Sequence, residues 1–478
     1  MFLGIDLGTS GVKALVIDEA QAIRAEATAP LTVSRPHPSW SEQGPADWIS
    51  ATTAAIKAVS TNAELSTVRA IGLSGQMHGA TVLGADHAPL RPAILWNDTR
   101  AGKEAATLSA DPAVPPTIGS VVFAGFTAPK LLWMAKNEPA LFEAARLVLL
   151  PKDFLRLWLT GDAVSEMSDA SGTGWLDVGA RAWSGELLQK THMRAEQMPA
   201  LVEGSAVSGH LRAAVADTLG LPAGIPVAGG GGDNAAAAVG MGIVAPGRAF
   251  VSLGTSGVVF APAADFSPKP ETAVHTFCHA LPGLWHHMGV ILAATDALNW
   301  LAALVGEDAA TLADGLGPLQ APGRPLFLPY LGGERTPINA PDARGAFIGL
   351  AHETDRLAAA RAVIEGVTFA VADSRDALAA TGTTLAAVVA VGGGSRSTYW
   401  LEAIATALGI PVEVPAAGDY GAAFGAARLA MLCDGAGDEA LTPPAIARTI
   451  APDAALAGAF ADAHGHYKAT YAALKDLL

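Results

Sequence analysis

Four consecutive glycines, Gly229 to Gly232, followed by Asp233 and Asn234, put an ionisable side chain at the tip of a loop that has almost no side chains of its own. Glycine permits positive φ and lets a ligand approach the backbone closely, so a carboxylate in such a loop is offered to a substrate. The apolar run from Ile225 delivers this loop as the end of a strand, which makes Asp233 the first candidate for a general base and Asn234 a candidate for hydroxyl contacts. Asp233 would equally serve as N-cap of a helix over 235–241, because Asp caps well and the alanine run favours helix.

The pentapeptide Leu-Gly-Thr-Ser-Gly occurs twice, as Leu7 to Gly11 and as Leu253 to Gly257. Each copy lies between two apolar runs, the pattern of a β-hairpin. Backbone N–H groups and small hydroxyls in such turns form an anion-binding nest without basic side chains, so Thr9, Ser10, Gly254, Thr255 and Ser256 are candidate phosphate contacts. A third glycine cluster, Gly392 to Gly394, sits between a strand pattern and a helix over 398–408, where Gly393 and Gly394 would let a purine or ribose lie against the backbone. Neither a P-loop nor a dinucleotide fingerprint is present. Lys13 and Arg335 could add positive charge, with solvated surface the safer reading for each.

The elements that carry these residues recur. A hairpin over 2–17, a strand over 23–31, a helix over 46–59 and a strand over 70–73 are expected in the first half. A hairpin over 249–261, a strand over 286–290, helices over 293–305 and 357–379 and a strand over 388–391 are expected in the second. Hairpin first and strand-helix alternation after it indicate an α/β protein with one mixed, helix-flanked sheet in each half. The 478 residues exceed one core's usual reach, and the repeat divides the chain into 1–244 and 245–478. A cleft between two such domains suits a two-substrate reaction.

A formal charge of -15 and a pI near 5.2 disfavour nucleic acid or an anionic membrane as partner. An acidic protein that handles ATP must bring Mg2+ with it. Two cysteines, Cys278 and Cys433, fit a reducing compartment. The absence of a secretion signal and the interruption of the apolar stretch Val290 to Val305 by Asp296 and Asn299 point to a soluble cytoplasmic protein.

Taken in order, Asp6 to Gly11, Gly75-Gln76-Met77-His78-Gly79, Gly125 to Trp133, Gly231 to Asn234, Ser252 to Gly257 and Gly392 to Ser397 resemble the motifs of the FGGY carbohydrate kinases. Ser34 to Pro38, Trp40 to Gln43, Leu90 to Asp98 and Phe327 to Pro337 are similar to the branch that phosphorylates D-xylulose. The resemblance runs from Phe2 to about Arg428. It implies two actin/hexokinase-like, ribonuclease H-type domains with a nucleotide- and sugar-binding cleft between them, and γ-phosphoryl transfer from MgATP to the 5-hydroxyl of D-xylulose. It implies Asp233 as base, Met77 and His78 as sugar contacts with Asn234 and Asp98 as further ones, Asp6 as the anchor of hydrated Mg2+, and Gly333 beside Gly393 and Gly394 at the adenosine. A homodimer is a family-based expectation. The rival readings are a family member acting on ribulose or a pentitol and, from another class, an actin- or Hsp70-like ATPase module.

Overall fold

The computed structural model describes residues 1–416 and 421–478, which form two compact units. Unit 1 comprises Met1–Val244, Phe277–Trp285 and Asp419–Pro443, and unit 2 comprises Ala245–Thr276, His286–Gly418 and Pro444–Leu478. The chain first passes from unit 1 to unit 2 after Val244. Two later segments also join unit 1, which a division by sequence halves does not foresee.

Unit 1 is built on a mixed sheet in which Phe2–Leu7 is flanked by its hairpin partner Gly11–Ile17 and then Ile23–Pro30 on one side. Ala70–Gly75, Pro226–Ala228 and Val207–His210 follow on the other. Phe2–Leu7 and Ala70–Gly75 run parallel, with Asp6 beside Ser74 and Leu7 beside Gly75. The short strand Gly231–Gly232 runs parallel to the end of Ala70–Gly75. Three strands therefore end at one edge of this sheet, and the chain continues from them into Gly8-Thr9, Gln76-Met77 and Asp233. The carboxyl ends of parallel strands are where such sheets present ligand-binding loops.

Helix Ala422–Cys433 packs on this sheet because glycines let it approach. A Cβ at Gly4 would stand 2.0 Å from the Ala423 carbonyl oxygen, and one at Gly72 1.8 Å from that of Ala426. On the other side of the same helix a Cβ at Gly425 would meet the Ala236 oxygen at 1.7 Å. Helix Asp233–Gly240 thereby rests on Ala422–Cys433, which rests on the sheet.

Unit 2 repeats the arrangement. Arg248–Leu253 is flanked by its hairpin partner Gly257–Ala263 and then Trp285–Ile291, and on the other side by Ala387–Val391 and Val412–Pro415. Its core is closed by helices Thr295–Val305, Arg356–Ala380 and Thr398–Leu408. Between Ala387–Val391 and Thr398–Leu408 a 3-10 turn, Gly393–Arg396, intervenes, with Gly392 at φ 88°. Among the described residues no helix is long and apolar enough to cross a membrane.

Candidate active site

Asp233 is the first residue of its helix, and Gly232 occupies the N-cap. The expected capping role therefore does not occur. Its Oδ1 accepts from the backbone N–H of Asn234 at 2.7 Å and from Asn234 Nδ2 at 3.0 Å. Burial raises the carboxyl pKa, the two Asn234 donors lower it, and the net direction is upward. Asn234 thus orients the base.

Met77 packs against Gly232, the residue before Asp233, and His78 packs with Met77 against Gly172. A Cβ at Gly232 would lie 3.0 Å from Met77 Cγ and Sδ, and one at Gly172 would lie 2.5 Å from the His78 ring and 2.9 Å from Met77 Cε. His78 adopts φ 69°, stacks on Phe126 with centroids 4.8 Å apart, and has Nδ1 2.6 Å from the Gly172 carbonyl oxygen. A carbonyl only accepts, so Nδ1 carries a proton. The His78 carbonyl is itself clamped, by Lys130 Nζ at 2.9 Å and Thr127 Oγ1 at 3.0 Å. Burial holds the Lys130 ammonium well below the usual lysine range.

Sequence reasoning missed the support under the base. The Gly232 N–H donates to Ser168 Oγ at 3.0 Å, and the Ser168 hydroxyl donates to Glu166, 2.9 Å from Oε2. Glu166 also caps its short helix by accepting from the Ser168 and Asp169 N–H groups. Beside it, fully buried, Lys152 Nζ lies 2.5 Å from Asp153 Oδ1 and 3.4 Å from Asp169 Oδ2. Burial raises Asp169 strongly and Lys152 opposes the shift, with Asp233 among the negative neighbours that add to it. Charged residues scattered over 152–169 carry no local signal of this. A Cβ at Gly75 would lie 3.1 Å from Lys152 Cβ, so the cluster closely meets the strand end.

The first turn, closed by Gly8 N–H to the Gly11 carbonyl at 3.0 Å, exposes Ser10 and half-buries Thr9. Asp6 stands half-buried on the strand leading into it. One hard carboxylate beside this turn would suit Mg2+, which usually keeps several waters and takes one or two carboxylates. The three-residue group Asp373, Asp376 and His464 in unit 2 is a poorer fit, because His464 pairs with Asp373 at 2.7 Å and Asp376 pairs with Arg375 and Lys468.

In unit 2 the second turn exposes Thr255 and Ser256, while the Gly254 carbonyl accepts from the Thr295 N–H at 2.9 Å and from Thr295 Oγ1 at 2.7 Å. Gly393 is open, with nothing within 4 Å of a Cβ placed there, whereas Gly394 is buried against Leu253 and Trp400 and shapes the loop. Gly333, at φ 86°, would meet the Pro341 carbonyl at 2.4 Å and is required by its own turn. Next to it, burial pushes Glu334 up to about 8, although the N–H groups of Leu292 and Arg335 donate to it.

Three expectations are corrected. Asp98 is fully buried, and both its oxygens are taken, Oδ2 by the Ser41 N–H and Arg100 and Oδ1 by the Arg100 backbone and Nε. It braces the loop rather than meeting a sugar. Arg335 is half-buried, and burial lowers its pKa to about 10. Lys13 is half-buried and paired with Glu26 at 3.1 Å.

The chain matches the N-terminal domain of the FGGY family of carbohydrate kinases over residues 1–240 and the C-terminal domain over 249–433. It is 49% identical to the xylulose kinase of Escherichia coli strain K12 over 435 residues, 90% of each chain. It is 35% identical to that of Bacillus subtilis strain 168 over 442 residues, 91% of this chain and 88% of the relative. Among solved structures, a "xyloylose kinase" from Brucella ovis has 58% identity and a TM-score of 0.98, with both chains covered completely. The xylulose kinase from Rhodospirillum rubrum has 30% identity and a TM-score of 0.92, with 99% of each chain covered.

Proposed function

The chain belongs to the FGGY family of carbohydrate kinases, and we propose that it transfers the γ-phosphoryl group of ATP to the 5-hydroxyl of D-xylulose, giving D-xylulose 5-phosphate and ADP. The observation that carries this reading is the seating of Met77 against Gly232, the residue before Asp233, and of His78 with Met77 against Gly172. An acceptor held by that pair has its hydroxyl next to a carboxylate. The identity to xylulose kinases across nine-tenths of the chain supports the choice of pentulose.

In this mechanism Asp233 accepts the hydroxyl proton while the oxygen attacks the γ-phosphorus and the bond to the β-phosphate oxygen breaks. Asn234 fixes Asp233 Oδ1, which leaves Oδ2 for the proton. Phosphoryl transfer depends mainly on positioning and charge neutralisation. Asp6 would hold the hydrated Mg2+ that accompanies ATP, and the metal neutralises phosphate charge. Ser10 and the backbone of the first turn would receive phosphate oxygens, Thr255 and Ser256 in the second turn offer the same chemistry, and Gly393 would face the adenosine. Exposed Thr99, beside the Asn97-Asp98 loop, is the first position to examine if another sugar is preferred.

Replacing the base tests the assignment. Asp233→Ala should lower kcat by about 10²–10⁴ while D-xylulose still binds. Turnover at the wild-type rate would contradict it.

A further inference from the structure

The Thr9 hydroxyl belongs to a closed hydrogen-bond ring whose direction is dictated by the chemistry of its members. The Trp48 indole N–H can only donate, and it meets Gln43 Oε1 at 3.0 Å. The Thr9 carbonyl can only accept, and Gln43 Nε2 reaches it at 2.7 Å. Both contacts orient the Gln43 amide the same way. Its Oε1 therefore accepts from Gln76 Nε2 at 3.1 Å, which turns Gln76 Oε1 toward Thr9. That oxygen accepts, at 3.1 Å, the only proton that Thr9 Oγ1 has.

From the opposite side the Trp96 indole N–H donates to Thr9 Oγ1 at 2.9 Å. With one proton given and one lone pair used, a single lone pair remains on that oxygen. Gln43, Gln76 and Trp48 are buried, so water does not compete for the ring and the bonds reinforce one another. A phosphate oxygen offers lone pairs only and gains nothing from another lone pair. A donor, such as a water or a sugar hydroxyl, fits it.

We propose that Gln76 and Trp96 are positioning residues that hold the Thr9 hydroxyl as an acceptor, so that the first turn engages the nucleotide through Ser10 and backbone N–H groups and not through a Thr9 O–H. The proposal rests on the reading of this turn as a phosphate site. It also explains why the turn and the sugar loop are built as one piece. Gln76 immediately precedes Met77, and Trp96 immediately precedes Asn97, so the ring ties Thr9 to both segments.

The test uses the full chain carrying Thr9→Val, Gln76→Leu, Trp96→Phe and the pairwise combinations. It measures the Kd of a nonhydrolysable ATP analogue with Mg2+ by calorimetry, and kcat with D-xylulose. Thr9→Val should leave the analogue Kd within about threefold of wild type, while each single variant lowers kcat about tenfold and each double falls no more than about threefold below its worse parent, because all act through the one Thr9 hydroxyl. A tenfold or greater weakening of analogue binding by Thr9→Val, with Gln76→Leu unchanged, would overturn the proposal, as would kcat losses that multiply. If Gln76→Leu does not fold, the cycle of Thr9→Val with Trp96→Phe decides, since Trp96 is 38% exposed and outside the core. A wild-type chain that phosphorylates no sugar defeats the kinase reading instead, and the analogue Kd pattern still judges the ring.

Discussion

At the scale of the residue, the base and its neighbours set a pH dependence with a definite sign. Burial raises the Asp233 pKa despite the Asn234 donors, so its proton is retained to a higher pH than on an ordinary aspartate. The ionised form is the base. The acid limb of kcat/KM for the sugar should therefore lie above the ordinary Asp range, near 3.9, with activity rising as pH rises through it. A limb at or below that range would contradict the assignment. Gly172 offers a second test, because a Cβ there would stand 2.5 Å from a ring already stacked on Phe126. Gly172→Ala should raise the KM for D-xylulose about tenfold or more, with the KM for ATP within about threefold, as expected for lost acceptor positioning alone. Asp233 stands out in the sequence because four glycines precede it, and the structure buries those glycines at a strand end. Asp98 was misread because an aspartate in a loop looks the same whether it faces a ligand or the Arg100 fork. Ser168 and Lys152 gave no signal, since their partners are brought to them only by the fold.

At the scale of the element, the unit 1 site depends on a stack: sheet, helix Ala422–Cys433, then helix Asp233–Gly240, with glycine at each crossing. Gly72→Ala would drive a Cβ into the backbone oxygen of Ala426, an overpacking that costs about 1–3 kcal/mol or more. Melting temperature should fall by roughly 2–4 °C for each kcal/mol in a unit of this size, and an unchanged melting curve would contradict the close-approach account. Both hairpins were readable because apolar runs, buried at most positions, flank each Gly-Thr-Ser-Gly turn. Strand Ala70–Gly75, buried at every position, was found in part, by its apolar start. The membership of helix Ala422–Cys433 in unit 1 was not legible, because nothing in a run of alanines says which of two sheets it will cover.

At the scale of the whole molecule, the work is divided. Unit 1 carries Asp233, Met77, His78 and the first turn, and unit 2 carries the second turn and the open glycine Gly393. The repeat of the pentapeptide was the visible trace of that division, since the same strand order is built around each copy. A net charge of -15 opposes the approach of an anionic substrate, and the Mg2+ proposed at Asp6 would reduce that substrate's charge. The central claim, a kinase selective for one pentulose, is tested most directly by coupled ADP release with MgATP. The acceptors to compare are D-xylulose, D-ribulose, L-ribulose, L-xylulose, glycerol, gluconate and D-arabinitol. The account predicts that D-xylulose has the highest kcat/KM, by about tenfold or more over every other acceptor, a margin of about 1.4 kcal/mol in transition-state binding. A higher kcat/KM for any other acceptor, or ADP release that no sugar stimulates, would contradict it.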